Sequence, residues 1–135
     1  MTCILSASAY AAQKAQGSNA VFIESKDIHW NDVLGFAGVQ TSVVEGDAAK
    51  GPHHVFMKFK GGFSTPLHHH TANHFMTVLA GTLVLTVDGQ EHRLPAGSYF
   101  SFKNKGLHTT SCVAGNDCVL FGDVRGKWDV IPEKK

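Results

Sequence analysis

The sequence predicts an all-β domain of the sandwich or barrel class. Apolar residues recur at alternate positions through most of the chain, and turn signals rich in glycine and proline separate these runs at short intervals. Only roughly the first fifteen residues, with SAYAAQKAQ at their end, carry a helix-forming composition.

Taken in order, AVFIES (20–25) and GVQTSVVEG (38–46) are expected as strands. HHVFMKFKG (53–61) sets Val55, Met57 and Phe59 against His54, Lys58 and Lys60, so one face should be buried and the other wet. HFMTVLAGTLVLTVDGQEHRL (74–94) gives a strand on either side of a turn at Ala80-Gly81. A second turn follows at Asp88-Gly89, a favoured two-residue hairpin signal. PAGSYFSF (95–102) opens another strand after a Pro-x-Gly turn, and KNKG (103–106) closes it. LHTTSCV (107–113) and CVLFGDV (118–124) are then expected as the next pair. No repeat, linker or low-complexity segment interrupts the series. The expected organisation is an N-terminal arm over 1–20, with small residues in SAYAAQ that suggest a remnant export signal, followed by one domain over 21–135.

Twelve basic and eleven acidic residues leave a formal charge of +1, which argues against nucleic acid or an acidic membrane as main partner. Apolar residues at 43% against 17% charged describe a compact globule rather than a disordered chain. No apolar run approaches the ~20 residues that span a bilayer. A soluble, cytoplasmic protein is expected, with export to the periplasm as the alternative. Cys3, Cys112 and Cys118 form no C-x-x-C pair. Cys112 and Cys118 flank the turn-like VAGND and are expected as buried free thiols on neighbouring strands, a bridge between them being the alternative in an oxidising compartment.

TPLHHHTANHF (65–75) holds four of the nine histidines. In an extended strand His68 and His70 face one way and His69 the other. His74 follows across TAN, which can turn the chain back to the same side, and His108 stands at the start of a later strand. His29, His53, His54, His69 and His92 are expected as ordinary surface or core histidines. Inward histidines without a shared partner would cost roughly 1 to 3 kcal/mol for each polar group left unsatisfied, and a metal ion resolves that cost at once.

GFSTPLHHHTANHFMTVLAG (62–81) closely resembles the first cupin motif, G-x5-H-x-H-x3-E-x6-G, with Gly62, His68, His70 and Gly81 in register and His74 in place of glutamate. The second motif, G-x5-P-x-G-x2-H-x3-N, is matched at Gly97 and His108, while Lys103, Lys105 and Cys112 replace its proline, second glycine and asparagine. The resemblance runs from about Val21 to Trp128. It is strongest to small single-domain cupins similar to the C-terminal sensor domain of zinc-binding anti-sigma factors. It implies a double-stranded β-helix, or jelly roll, with one divalent transition metal per chain (iron, nickel, copper or zinc) held by His68, His70, His74 and His108. It also implies a homodimer.

Four neutral imidazoles leave the charge of such an ion uncompensated, so the site should take a small anionic or chelating ligand. The leading expectation is an oxidoreductase of dioxygenase type acting on a diketone- or hydroxyketone-like substrate. A non-catalytic sensor that binds a metal or small ligand, and a metal-dependent lyase or isomerase, are the alternatives. Phe56, Met57, Phe63, Met76, Phe100, Phe102 and Phe121 are candidate pocket walls, although only alternate side chains of a strand face inward. No paired carboxylates or Ser/His/Asp arrangement stand out, which leaves water on the metal, or Tyr99 at the margin, to act as base.

Overall fold

The computed structural model describes residues 19–134. The arm's helix-forming stretch, the candidate export remnant and Cys3 lie outside the described residues. The chain forms two compact units, Met1–Trp30 and Asn31–Lys135. In the first unit no strand forms over 20–25. Val21 makes a single bridge that does not extend into a strand, Phe22 is exposed, and the chain passes into a 3-10 turn at Ser25–Asp27.

The regular structure described in the second unit is all strand: β1 (Asn31–Asp32), β2 (Val39–Gly46), β3 (His53–Phe59), β4 (His68–His69), β5 (His74–Ala80), β6 (Thr82–Val87), β7 (Gln90–Pro95), β8 (Tyr99–Phe102), β9 (Thr109–Cys112), β10 (Cys118–Val124) and β11 (Ile131–Pro132). They form a six-stranded sheet in the order β1-β2-β3-β10-β5-β8, a three-stranded sheet β7-β6-β9 and a two-stranded pair β11-β4. All pairings between strands are antiparallel. This is a jelly roll, as the resemblance to the cupin motifs implies.

Strict alternation over β3 and β10 sends Val55, Met57, Phe59, Leu120 and Val124 into the core. There they meet Met76 and Val78 of β5 and, from the three-stranded sheet, Leu83, Leu85 and Cys112. The β6–β7 hairpin turns on Asp88 and Gly89 at φ 51 and 77, the left-handed pair that such a tight turn requires.

LHTTSCV and CVLFGDV do not pair with each other. β9 hydrogen-bonds to β6 in the three-stranded sheet, and β10 lies between β3 and β5 in the six-stranded one. Segment 113–117 therefore crosses from sheet to sheet, and a bond between Cys112 and Cys118 closes the crossing, with Cα atoms 5.9 Å apart. The two residues are not free thiols, because the crossing brings the last residue of one strand against the first of the next. The other crossing, from β5 to β6, passes Gly81 at φ 75. A Cβ there would stand 2.9 Å from Cys118 Sγ and would strike the Asp117 carbonyl, so only glycine fits. Both crossings lie at one end of the barrel, and His74 opens β5 at the other, about 20 Å away along the strand. Among the described residues no helix is long and apolar enough to cross a membrane.

A six-residue separation closes a short loop, worth about 2 kcal/mol by chain entropy. Urea unfolding of the C112S/C118S double variant should show a loss of that size, and reductant should lower the wild type to the variant's level. Equal midpoints with and without reductant would show that the bond carries no stability.

Candidate metal centre

His68 lies on β4, His70 follows it, and the outward His69 between them pairs with Ile131 of β11. Opposite His68 stands His108, joined to it by two reciprocal backbone hydrogen bonds of 3.0 Å. His108 is presented by a turn over Lys103–Gly106 in which Asn104 and Lys105 adopt φ 56 and 58. The Asn73 side chain accepts the Asn104 N–H at 3.1 Å, and the Asn73 carbonyl accepts the Arg125 N–H at 3.0 Å. One asparagine thus ties the His108 turn and the segment after β10 to the residue before His74. All four histidines are buried.

Their orientation comes from Nδ1. His68, His74 and His108 each direct it to the carbonyl two residues upstream, at Pro66 (2.9 Å), Ala72 (3.1 Å) and Gly106 (2.9 Å), and His70 directs it to the Asp129 carbonyl at 2.6 Å. A carbonyl oxygen only accepts, so each Nδ1 carries the proton and each neutral ring keeps Nε2 bare. His68 Nε2 and His70 Nε2 are 3.1 Å apart. With no proton on either, they are two lone pairs facing each other, which a shared cation would stabilise.

One nitrogen from each of His68, His70 and His108 lies within 4.8 Å of the other two. Ligands about 2.1 Å from a tetrahedral ion stand about 3.4 Å apart, so His68 and His70 are already at ligand spacing and the widest pair would close by no more than about 1.4 Å. These residues form a group able to hold a metal ion. The His74 ring stands next to it, with centroids 4.9 Å from His70 and 6.4 Å from His108. Aromatic rings back the set: Phe102 stacks on His108 at 3.8 Å and Trp128 on His70 at 4.1 Å, with Trp128 edge-on to His74 at 5.2 Å.

Burial pushes all four imidazoles below the ordinary value of 6.5, outweighing the carbonyl contacts that favour protonation. His70 falls to about 3 and His108 to about 4. Near neutral pH the cluster is therefore uncharged, as metal ligation requires.

The histidines face a cavity of about 180 Å³. Met57, Phe63, Met76 and Phe100 line it, as do Val33, Phe36, Val39, Phe59, Leu120, Trp128 and Val130, with the polar groups of Thr41, Thr65 and Thr110. Phe102 lies behind His108. Phe56 and Phe121 are not part of the wall. Met57 and Leu120 point inward, so their neighbours point outward, where the two rings pack across strands at 5.1 Å. Tyr99 is likewise exposed, on the outward parity of β8, while Phe100 faces in. Sequence patterning alone missed Trp128 and Asp129. They follow β10 in a segment without periodicity and reach the histidines across nearly sixty residues of chain.

His70→Ala and His108→Ala should each abolish metal retention after gel filtration, and His69→Ala should not. Equal metal content in all three would refute the ligand assignment. The metal-free protein should also lose stability as pH falls from about 7 towards 4. Over that range unfolded histidines take up protons near 6.5, while His108 waits until about 4 and His70 until about 3. A melting temperature that stays flat across this window in chelator-treated protein would contradict the burial of neutral imidazoles.

A family model described as Cupin domain matches residues 55–121. No curated protein sequence matches the chain. Among solved structures, the polyketide cyclase RemF from Streptomyces resistomycificus superposes with a TM-score of 0.73 at 17% identity, covering 86% of this chain and 87% of that one. An RmlC-like cupin from Ralstonia eutropha JMP134 gives 0.70 at 21%, covering 87% and 75%, and KdgF from Halomonas sp. gives 0.63 at 21%, covering 77% and 94%. At these identities the likeness is one of fold. With the matched family model, the jelly-roll topology and the inward histidines at both motif positions, the chain belongs to the cupin superfamily.

Proposed function

We propose that the protein is a metal-dependent enzyme of dioxygenase type. It would act on a small, apolar, chelating substrate, an enolisable diketone or hydroxyketone, at a centre formed by His68, His70, His74 and His108. One observation carries this reading: bare imidazole edges, 3.1 Å apart at His68 and His70, face a cavity with no aspartate, glutamate, lysine or arginine among the described lining residues. Four neutral ligands leave a divalent ion its full charge. An enolate supplies the missing negative charge and chelates at the same time, while the apolar wall takes the rest of the molecule. An engineered apolar cavity of about 150 Å³ accommodates benzene, so about 180 Å³ suits a substrate of one ring or a short chain.

When bound, the metal would polarise the substrate oxygens and hold substrate and dioxygen side by side. The chain's own residues fix the ligand edges, seat the apolar part of the substrate and exclude water. For a 1,3-diketone the balance is one dioxygen in, one carbon–carbon bond broken, and a carboxylic acid plus a 2-oxoaldehyde out, with no external reductant. The lining offers no carboxylate, amine or phenol as a base, which suits substrates acidic enough to enolise before they bind. A non-redox lyase or cyclase is the second reading, favoured by the superposition with RemF, a polyketide cyclase.

The test begins with elemental analysis of purified protein, followed by oxygen uptake with acetylacetone, benzoylacetone and hydroxyketones. One dioxygen consumed per substrate, with both atoms of labelled oxygen found in the products, is expected. Conversion of the carbon skeleton without oxygen uptake would transfer the assignment to the lyase or cyclase reading. Stoichiometric zinc with neither outcome would remove both.

A further inference from the structure

Three of the four histidines are oriented by carbonyls in their own loops, two residues upstream. His70 differs. Its Nδ1 contact, at 2.6 Å, is to the carbonyl of Asp129, 59 residues away. The Asp129 carboxylate accepts two further short hydrogen bonds from the next residue, Thr71: the backbone N–H at 2.7 Å and the hydroxyl at 2.6 Å. One residue thus grips the His70–Thr71 pair by its main chain and its side chain together. Trp128 covers the His70 ring, and β11 continues the contact by pairing Ile131 with His69.

From this geometry we propose that Asp129 is a positioning residue for the metal centre. Its carboxylate clamps Thr71, the clamp docks the 125–132 segment, and the docked carbonyl fixes the His70 tautomer and aims its Nε2 at the ion. The inference rests on the metal-centre reading given above. The carboxylate is suited to the task because burial, which would raise its pKa, is outweighed by the Thr71 hydrogen bonds that stabilise the ionised form. Charge-assisted bonds of this length are stronger than neutral ones, and loss of an outer partner of a metal-ligating histidine typically costs roughly 10- to 100-fold in metal affinity.

The test titrates cobalt(II) into chelator-stripped full-length protein, competing with a chelator of known affinity and recording the visible spectrum. Circular dichroism and melting of each metal-free variant serve as fold controls. Asp129→Ala should keep the metal-free fold, bind cobalt roughly 10- to 100-fold more weakly and show an altered ligand-field band. Asp129→Asn should recover most of the affinity and the wild-type band, because its amide can accept from the Thr71 N–H and donate to the Thr71 hydroxyl. Thr71→Val, which removes one of the two clamp bonds, should weaken cobalt by a smaller factor. Wild-type affinity and spectrum in Asp129→Ala would overturn the positioning role while leaving the metal centre intact. If that variant does not fold, Thr71→Val decides alone, and unchanged binding there overturns the proposal. Failure of the wild-type chain itself to bind cobalt would refute the metal-centre reading, a result distinct from either.

Discussion

A proton held on Nδ1 by a carbonyl oxygen is the interaction on which the centre depends. Pro66, Ala72, Gly106 and Asp129 each present an oxygen that can only accept, so each of four rings keeps its proton on the outer nitrogen and leaves Nε2 bare. The arrangement is inexpensive for a loop to build, as His53 illustrates. It makes the same contact to Gly51, at 2.9 Å, and it too is buried, yet it lies outside the metal-competent group. Orientation alone does not make a site. Convergence does, and here it follows from the backbone bridge between His68 and His108 and the two-residue step from His68 to His70.

The charge balance of the centre follows from its surroundings. Where cupins commonly place glutamate, His74 contributes no negative charge, and the cavity wall of valines, phenylalanines and methionines contributes none either. Burial disfavours protonation of the same rings, so protons compete poorly for the bare edges near neutral pH. Aromatic faces at Phe102 and Trp128 hold two of the rings in place without altering that neutrality. In the proposed reaction, selectivity would then be left to size, to apolar complementarity and to the negative charge of the substrate.

Features set by local patterning were legible in the sequence. The alternation over 53–59, the Asp88-Gly89 hairpin and the parity that separates His68 and His70 from His69 all depend on residues within a few positions of one another. The cavity wall was legible only in part. Phe56 adjoins Met57, and only one of two neighbours on a strand can face in, so composition named both where parity admits one. Long-range contacts left no signal. Nothing in CVAGNDC distinguishes a hairpin from a crossing between sheets, because the partners of β9 and β10 are set by β6, β3 and β5. Trp128 and Asp129 belong to a stretch without periodicity whose role appears only once the chain has folded back on the His70 loop.

The covalent bond between Cys112 and Cys118 gives the barrel a mechanical polarity. At that end the two crossings are pinned together, with Gly81 packed against the bridge; at the histidine end, among the described residues, hydrogen bonds and packed rings hold the strands without a covalent link. The covalent bond limits how far the strands can part at the crossing end, and no such bond among the described residues limits them where the histidines stand.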